Sequence, residues 1–216
     1  MLRRRAFLLT SSLLCLTVIA ESRLIADKPR RQIAINIVYH KGGESAAVSV
    51  VGSKITDSDL KLINMPAETE SFSMCAGSHS EISEQVFSDM VKGLPIKELS
   101  VSFYSGGRLN FLVGVKELKS IQRVNLTLNK VSEQLISTLL NVQRPHEGHL
   151  KLCISILDGA SITVEEMLSI DALTAFTEIC LVPQLNPEAA IKLAQQSGTK
   201  FQRLCVLETW PAKLTK

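Results

Sequence analysis

Ile55-Thr56-Asp57-Ser58-Asp59-Leu60-Lys61-Leu62-Ile63 sets an apolar residue before a short polar one, with further apolar residues five and eight positions after the first. The same offsets return at Ile82-Ser83 with Phe87 and Met90, at Val131-Ser132 with Ile136 and Leu139, and at Ile162-Thr163 with Met167 and Ile170. Leu185-Asn186 with Ala190 and Leu193 is a fifth copy, and Gly107-Arg108 with Leu112 and Val115 a weak sixth. The polar positions lie 23 to 31 residues apart. A period of this size marks stacked supersecondary units, none able to bury its own apolar face alone.

Ahead of each polar position, apolar residues alternate as they do along a strand with one buried face. The inward sets are Val48 and Val50; Phe72 and Met74; Leu99, Val101 and Phe103; Val124, Leu126 and Leu128; Leu150, Leu152 and Ile154; Ile179 and Leu181; and Leu204 and Val206. Thr56, Ser83, Ser132, Thr163 and Asn186 then stand where a helix begins, because their side-chain oxygens can accept from a free first-turn N–H. Acidic residues follow at Asp57, Asp59, Glu84, Glu133, Glu165, Glu166 and Glu188, at the positive end of the helix dipole. Each unit thus reads as strand, loop, helix of about ten residues, and return. Before the first unit, Gln32–His40 and Ala47–Val51 flank Lys41-Gly42-Gly43-Glu44, which predicts a β-hairpin covering the otherwise unpaired end of the array.

The stretch Gly52-Ser53-Lys54-Ile55-Thr56-Asp57-Ser58-Asp59-Leu60 resembles the leucine-rich repeat family, in particular repeats with Ile-Thr-Asp and then Leu at the start of the helix. The resemblance covers roughly residues 45–208, with Ile-Ser-Glu at 82–84, Val-Ser-Glu at 131–133 and Ile-Thr-Val at 162–164 as later versions. It implies an α/β solenoid with a parallel strand layer inside, short helices outside and partners held on the concave strand face. The usual Asn or Cys of the family's loop ladder is absent. The competing architecture is a compact α/β domain such as a doubly wound sheet, in which strands and helices also alternate.

Arg3-Arg4-Arg5 followed by uncharged Ala6 to Ala20 reads as a secretory signal cleaved after Ala20, since about 20 residues are needed for a membrane span. The domain plan is therefore a signal peptide at 1–20, a tether at 21–32, the repeat array at 33–210 and a tail at 211–216. The expected location is outside the cytoplasm: periplasmic, cell-surface or secreted, with membrane association only if the first segment is retained. Removing Arg3, Arg4 and Arg5 from 24 basic residues leaves 21, matched by 21 acidic ones. That balance, with 5% aromatic residues, argues against nucleic acid as a partner.

In the solenoid reading, the residues between the inward positions line the concave face. One row reads Ser49, Ser73, Ser100, Asn125, Lys151, Cys180 and Cys205; its neighbour reads Val51, Cys75, Ser102, Thr127, Cys153, Val182 and Leu207. Ser49, Ser73, Ser100, Ser102, Asn125, Thr127, Lys151 and Cys153 are the candidate contacts to a protein partner. Cys75, Cys153, Cys180 and Cys205 are expected as free thiols, because Cβ atoms on adjacent parallel strands stand wider than the roughly 3.8 Å a disulfide prefers.

His146 and His149 flank Glu147, but a zinc site needs further ligands that the spacing does not place. Asn125-Leu126-Thr127 matches a glycosylation sequon inside a strand rather than a loop. No Gly-x-Ser-x-Gly elbow occurs, and Ser105-Gly106-Gly107 lacks the ending of a phosphate loop. No cofactor or metal is expected. The functional expectation is a non-enzymatic binding or scaffolding module, the alternative being an exported hydrolase-like enzyme using a Ser or Cys of the strand face.

Overall fold

The computed structural model describes residues 19–26, 32–77, 80–103, 109–145, 148–157, 162–183 and 203–206. These residues form an α/β structure around one open sheet. Its strands are β1 (Ile19–Ala26), β2 (Gln32–His40), β3 (Ser45–Gly52), β4 (Thr69–Ala76), β5 (Glu98–Phe103), β6 (Arg123–Leu128), β7 (Lys151–Ile156), β8 (Glu178–Pro183) and β9 (Leu204–Val206), side by side in chain order. β1 with β2 and β2 with β3 are antiparallel, and every pairing from β3 to β9 is parallel. The helices are α1 (Asp57–Leu60), α2 (Glu84–Val91), α3 (Glu133–Leu140) and α4 (Val164–Asp171), with a 3-10 helix at Asn110–Glu117 in the place of the weak copy.

The recurring offsets have a direct structural meaning. Ile55, Ile82, Val131 and Ile162 are at most 7% exposed and enter the core just before each helix. The following polar residues cap it. Ser83 Oγ accepts from Val86 N at 3.3 Å, Ser132 Oγ from Leu135 N at 3.2 Å and Thr163 Oγ1 from Glu166 N at 3.1 Å. Glu166 Oε2 in turn accepts from Thr163 N at 2.7 Å, a reciprocal cap. At the first copy Asp59 Oδ2 accepts from both Thr56 N and Thr56 Oγ1, at 2.8 and 2.7 Å. Phe87, Leu139, Met167 and Ile170 are buried, while Ile63, Met90 and Ile136 pack against the core from partly buried positions. Asn186 and the rest of the fifth copy lie outside the described residues.

One apolar cluster runs from Ile33 on β2 to Leu204 on β9 and contains the inward side chains of every strand between them, together with the buried helix residues. Phe87 of α2 lies 6.3 Å from Phe72 of β4 and 5.1 Å from Phe111 of the 3-10 helix, and Phe111 lies 6.1 Å from Phe103 of β5. Helices therefore pack on the face to which Phe72 and Phe103 point. Burying each such side chain contributes roughly 1.5–3 kcal/mol. Because the cluster is shared between units, the gain depends on having a neighbour.

Polar links join the units at both strand ends. Lys97 N donates to Glu70 O, Lys151 N to Gln122 O and Thr177 N to Leu150 O, at 2.8–2.9 Å. Ile55 N donates to the buried Ser80 Oγ at 2.8 Å and Ser83 N to Asp57 Oδ1 at 2.8 Å, so side chains bridge α1's unit to the next. Arg203 N and Leu204 N both donate to Asp171 Oδ1 at 2.7 Å, which fastens β9 to the end of α4.

Three expectations change. Residues 21–26, read as tether, belong to β1, which supplies backbone partners to β2's outer edge and relieves the exposed ladder an edge strand presents. The helices run four to eight residues rather than about ten. α2 shows why: soon after its last buried residue, Val91, the chain reaches Gly93 at φ 78°, a left-handed conformation that ends a helix. Finally, the weak copy keeps its buried Leu112 and Val115 but forms a 3-10 helix that starts beyond Arg108. Residues 1–18 of the expected signal and the tail at 211–216 lie outside the described residues.

Candidate functional site

The second face of the sheet carries none of the described helices. Its residues are those between the inward positions, and strand pairing arranges them in rows. The middle row runs Asn36, Ser49, Ser73, Ser100, Asn125, Cys153, Cys180 and Cys205 from β2 to β9. The row toward the strand ends is Val51, Cys75, Ser102, Thr127, Ser155 and Val182, and that toward the strand starts is Ser71, Glu98, Arg123, Lys151 and Glu178. Ser49, Ser73, Ser100, Ser102, Asn125, Thr127, Lys151 and Cys153 all stand on this face and are partly exposed.

The rows differ from the sequence expectation in one place. Cys153, not Lys151, stands beside Asn125, and Ser155, not Cys153, beside Thr127. A two-residue slide keeps every side chain on its face, so alternation cannot detect it. The longest interval between caps, with the extra residues Gln143 to His149, lies immediately before β7 and blurs the count.

The strand-start row holds the electrostatics that the sequence reading missed apart from Lys151. Glu98 Oε1 accepts from Asn125 Nδ2 at 2.5 Å, and the same amide donates to Ser100 Oγ at 3.1 Å. Glu178 Oε1 accepts from Lys151 Nζ at 2.5 Å, and Glu178 Oε2 lies 3.4 Å from His149 Nε2. Thr177 Oγ1 is 2.8 Å from His149 Nδ1. The hydrogen bond from Lys151 pulls the Glu178 carboxyl below its usual range, and the same bond raises the Lys151 ammonium. A charged residue two positions ahead of the middle row on four successive strands was the sequence signal for this line.

Cys75, Cys153, Cys180 and Cys205 are free. Cys180 is the exception on the open face, at 2% exposure. Burial first, then its hydrogen bond to Glu178 at 3.4 Å and the nearby Cys153, push its thiol up to about 11. A thiol so raised stays protonated and unreactive at neutral pH. The Asn125 side chain of the sequon is engaged with Glu98 and Ser100 within β6.

His149 is tied to Thr177 and Glu178, whereas His146, Glu147, His79 and the Ser105-Gly106-Gly107 segment lie outside the described residues. Among the described residues, no three of His, Cys, Asp and Glu converge in a metal-binding cluster. On the helix side a shallow groove is lined by Glu84, Asn110, Gln134, Ser137, Thr138 and Asn141. Its polar groups largely serve one another: Thr138 Oγ1 donates to Gln134 O at 2.9 Å and contacts Asn110 Oδ1 at 3.3 Å, and Glu84 pairs with Lys116 at 2.7 Å.

No protein-family model, curated protein or solved structure matches this chain. No helix among the described residues is long and apolar enough to cross a membrane.

Proposed function

We propose that this chain is an exported, leucine-rich-repeat-like binding or scaffolding module whose open strand face holds a protein partner. The observation that carries the reading is the sheet's asymmetry: one face is closed by helices over a continuous apolar core, while the other presents small, half-exposed side chains in register across successive strands. Small side chains let a partner's backbone come close, and a sheet of in-register strands presents them as a continuous shelf. In this reading the β2–β3 hairpin is the N-terminal cap, with β1 protecting its edge.

Export rests on Arg3-Arg4-Arg5 and the uncharged run to Ala20. Cleavage after Ala20 would leave Glu21–Ala26, six of β1's eight residues, to pair with β2. The non-enzymatic reading is supported by the chemistry around two of the Ser and Cys residues of the open face. Cys180 is kept as a thiol, and Ser100 Oγ is bound by an amide, which cannot act as the base a serine nucleophile needs.

The test is site-specific photo-crosslinking in the native envelope fraction. A photoreactive residue at Ser102 should capture a discrete partner that the same residue at Ser58, on α1, does not. Ser102→Trp, with an unchanged circular dichroism spectrum, should abolish capture by a photoreactive residue at Thr127. Equal capture from Ser102 and Ser58, or capture indifferent to Ser102→Trp, overturns the proposal.

A further inference from the structure

We infer that the open face carries a site for one soft monovalent cation of the Cu(I) class, held between the sulfurs of Cys153 on β7 and Cys180 on β8. Strand pairing sets Cys153 beside Cys180 and Cys180 beside Cys205, a row of three free thiols across β7, β8 and β9. The two-residue slide of β7 creates this row, because it brings Cys153 level with Cys180. The site requires no protein partner.

Spacing decides what such a pair can hold. Paired strands lie roughly 4.8 Å apart, and side chains at one register position leave them side by side, so the two sulfurs stand about as far apart as the strands. Cβ atoms so spaced are wider than the roughly 3.8 Å a disulfide prefers. Two metal–thiolate bonds of about 2.3 Å in line span about 4.6 Å, so the gap that opposes a disulfide admits one cation between the sulfurs. Thiolates select soft ions such as Cu(I), for which two ligands in line are a complete set. A structural zinc would need four ligands, and among the described residues no three of His, Cys, Asp and Glu converge.

The surroundings suit a half-shielded ion. Cys180 is 2% exposed and donates to Glu178 Oε1 at 3.4 Å, whereas Cys153 is partly exposed, so an ion enters from the Cys153 side and is screened from water at Cys180. After burial and the Glu178 hydrogen bond, the Cys153 thiol is the next group that opposes ionisation of Cys180. A cation between the two sulfurs removes that repulsion. Each thiol gives its proton to water as its metal–sulfur bond forms, and the complex of two thiolates with one monovalent ion carries a single negative charge. Cys205, one strand further on and exposed, remains an ordinary surface thiol.

Competition for Cu(I) against a chromophoric Cu(I) chelator, run without oxygen on the full mature chain, tests the inference. The parent protein should withdraw one equivalent. Cys153→Ser and Cys180→Ser should each weaken binding by about a hundredfold, the loss expected when two linked ligands become one. Cys75→Ser and Cys205→Ser should bind as the parent does. Circular dichroism checks the fold of each variant, and Cys153→Ser, at a partly exposed position, decides the outcome where Cys180→Ser does not fold. One equivalent of Cu(I) should also protect Cys153, but not Cys205, from maleimide. A parent protein that withdraws no more Cu(I) than Cys153→Ser, a loss with Cys205→Ser equal to that with Cys153→Ser, or a Cys153 that maleimide labels as fast with Cu(I) as without it, overturns the inference.

Discussion

Leu126 and Thr127 are neighbours on β6, yet they live on different molecules in a chemical sense. Leu126 is 1% exposed inside the shared apolar cluster, whereas Thr127 is partly exposed on a face the helices do not cover. Along each strand from β3 to β8, one set of alternate residues closes the core and the other is left to solvent or a partner. Stability and recognition are therefore separated by a single residue step, because successive strand side chains point to opposite faces.

The sharpest way to break that contrast is to place the same charge on both sides. Leu126→Asp should unfold the array, since an unpaired buried carboxylate costs several kcal/mol. Thr127→Asp should alter thermal stability by only about 0.5 kcal/mol, as surface substitutions do. Matching melting curves for the two variants would show that the faces are not distinct.

A second test lies at the end of β4, where Gly77 follows the strand and its N–H donates to Gly52 O at 3.1 Å. A Cβ there would stand 2.1 Å from Ser53 O, so Gly77→Ala must push two units apart. A loss of about 1–3 kcal/mol in chemical denaturation is expected, the range for forced overpacking. An unchanged midpoint would mean that the units do not need this close approach.

Smaller effects sharpen the picture on the helix side. Thr163→Ala removes a reciprocal cap and should cost about 1 kcal/mol, while Thr163→Ser should retain most of it. Equal losses in the two variants would argue against the hydroxyl's role.

The smallest effect belongs to Cys180, the open-face residue that behaves like core. Its folded-state thiol titrates near 11, above the ordinary value near 9. The unfolded chain therefore gives up this proton first as pH rises. The stabilising contribution is fully present below pH 9 and is lost as pH climbs toward 11. Cys180→Ala should flatten that part of the stability profile. At pH 8, alkylation should reach exposed Cys205 before Cys180; the reverse order would contradict the burial.

Much of the covered face is legible in the sequence. The apolar, cap, apolar, apolar offsets marked Ile82, Ser83 and Phe87 or Ile162, Thr163 and Met167 as one module, because burial and capping are local demands repeated in each unit. The open face was legible as a set of residues but not as a map. Sliding β7 by two residues leaves alternation intact, so the placement of Lys151 and Cys153 required the observed pairing. The line from Glu98 to Glu178 was missed for the same reason: its residues lie far apart in the chain and become neighbours only through strand register.

Periodicity in the chain was sufficient to establish alternating strands and capped helices and to say which side chains face inward, since both follow from interactions within a few residues. Contacts across units settled the rest. β1's pairing along the sheet edge, the binding of Glu98 by Asn125 and the burial of Cys180 each depend on how one strand lies against its neighbour. Such contacts are set by how far each strand slides against its neighbour, a quantity that hydrophobic burial constrains to a face but not to a position along it.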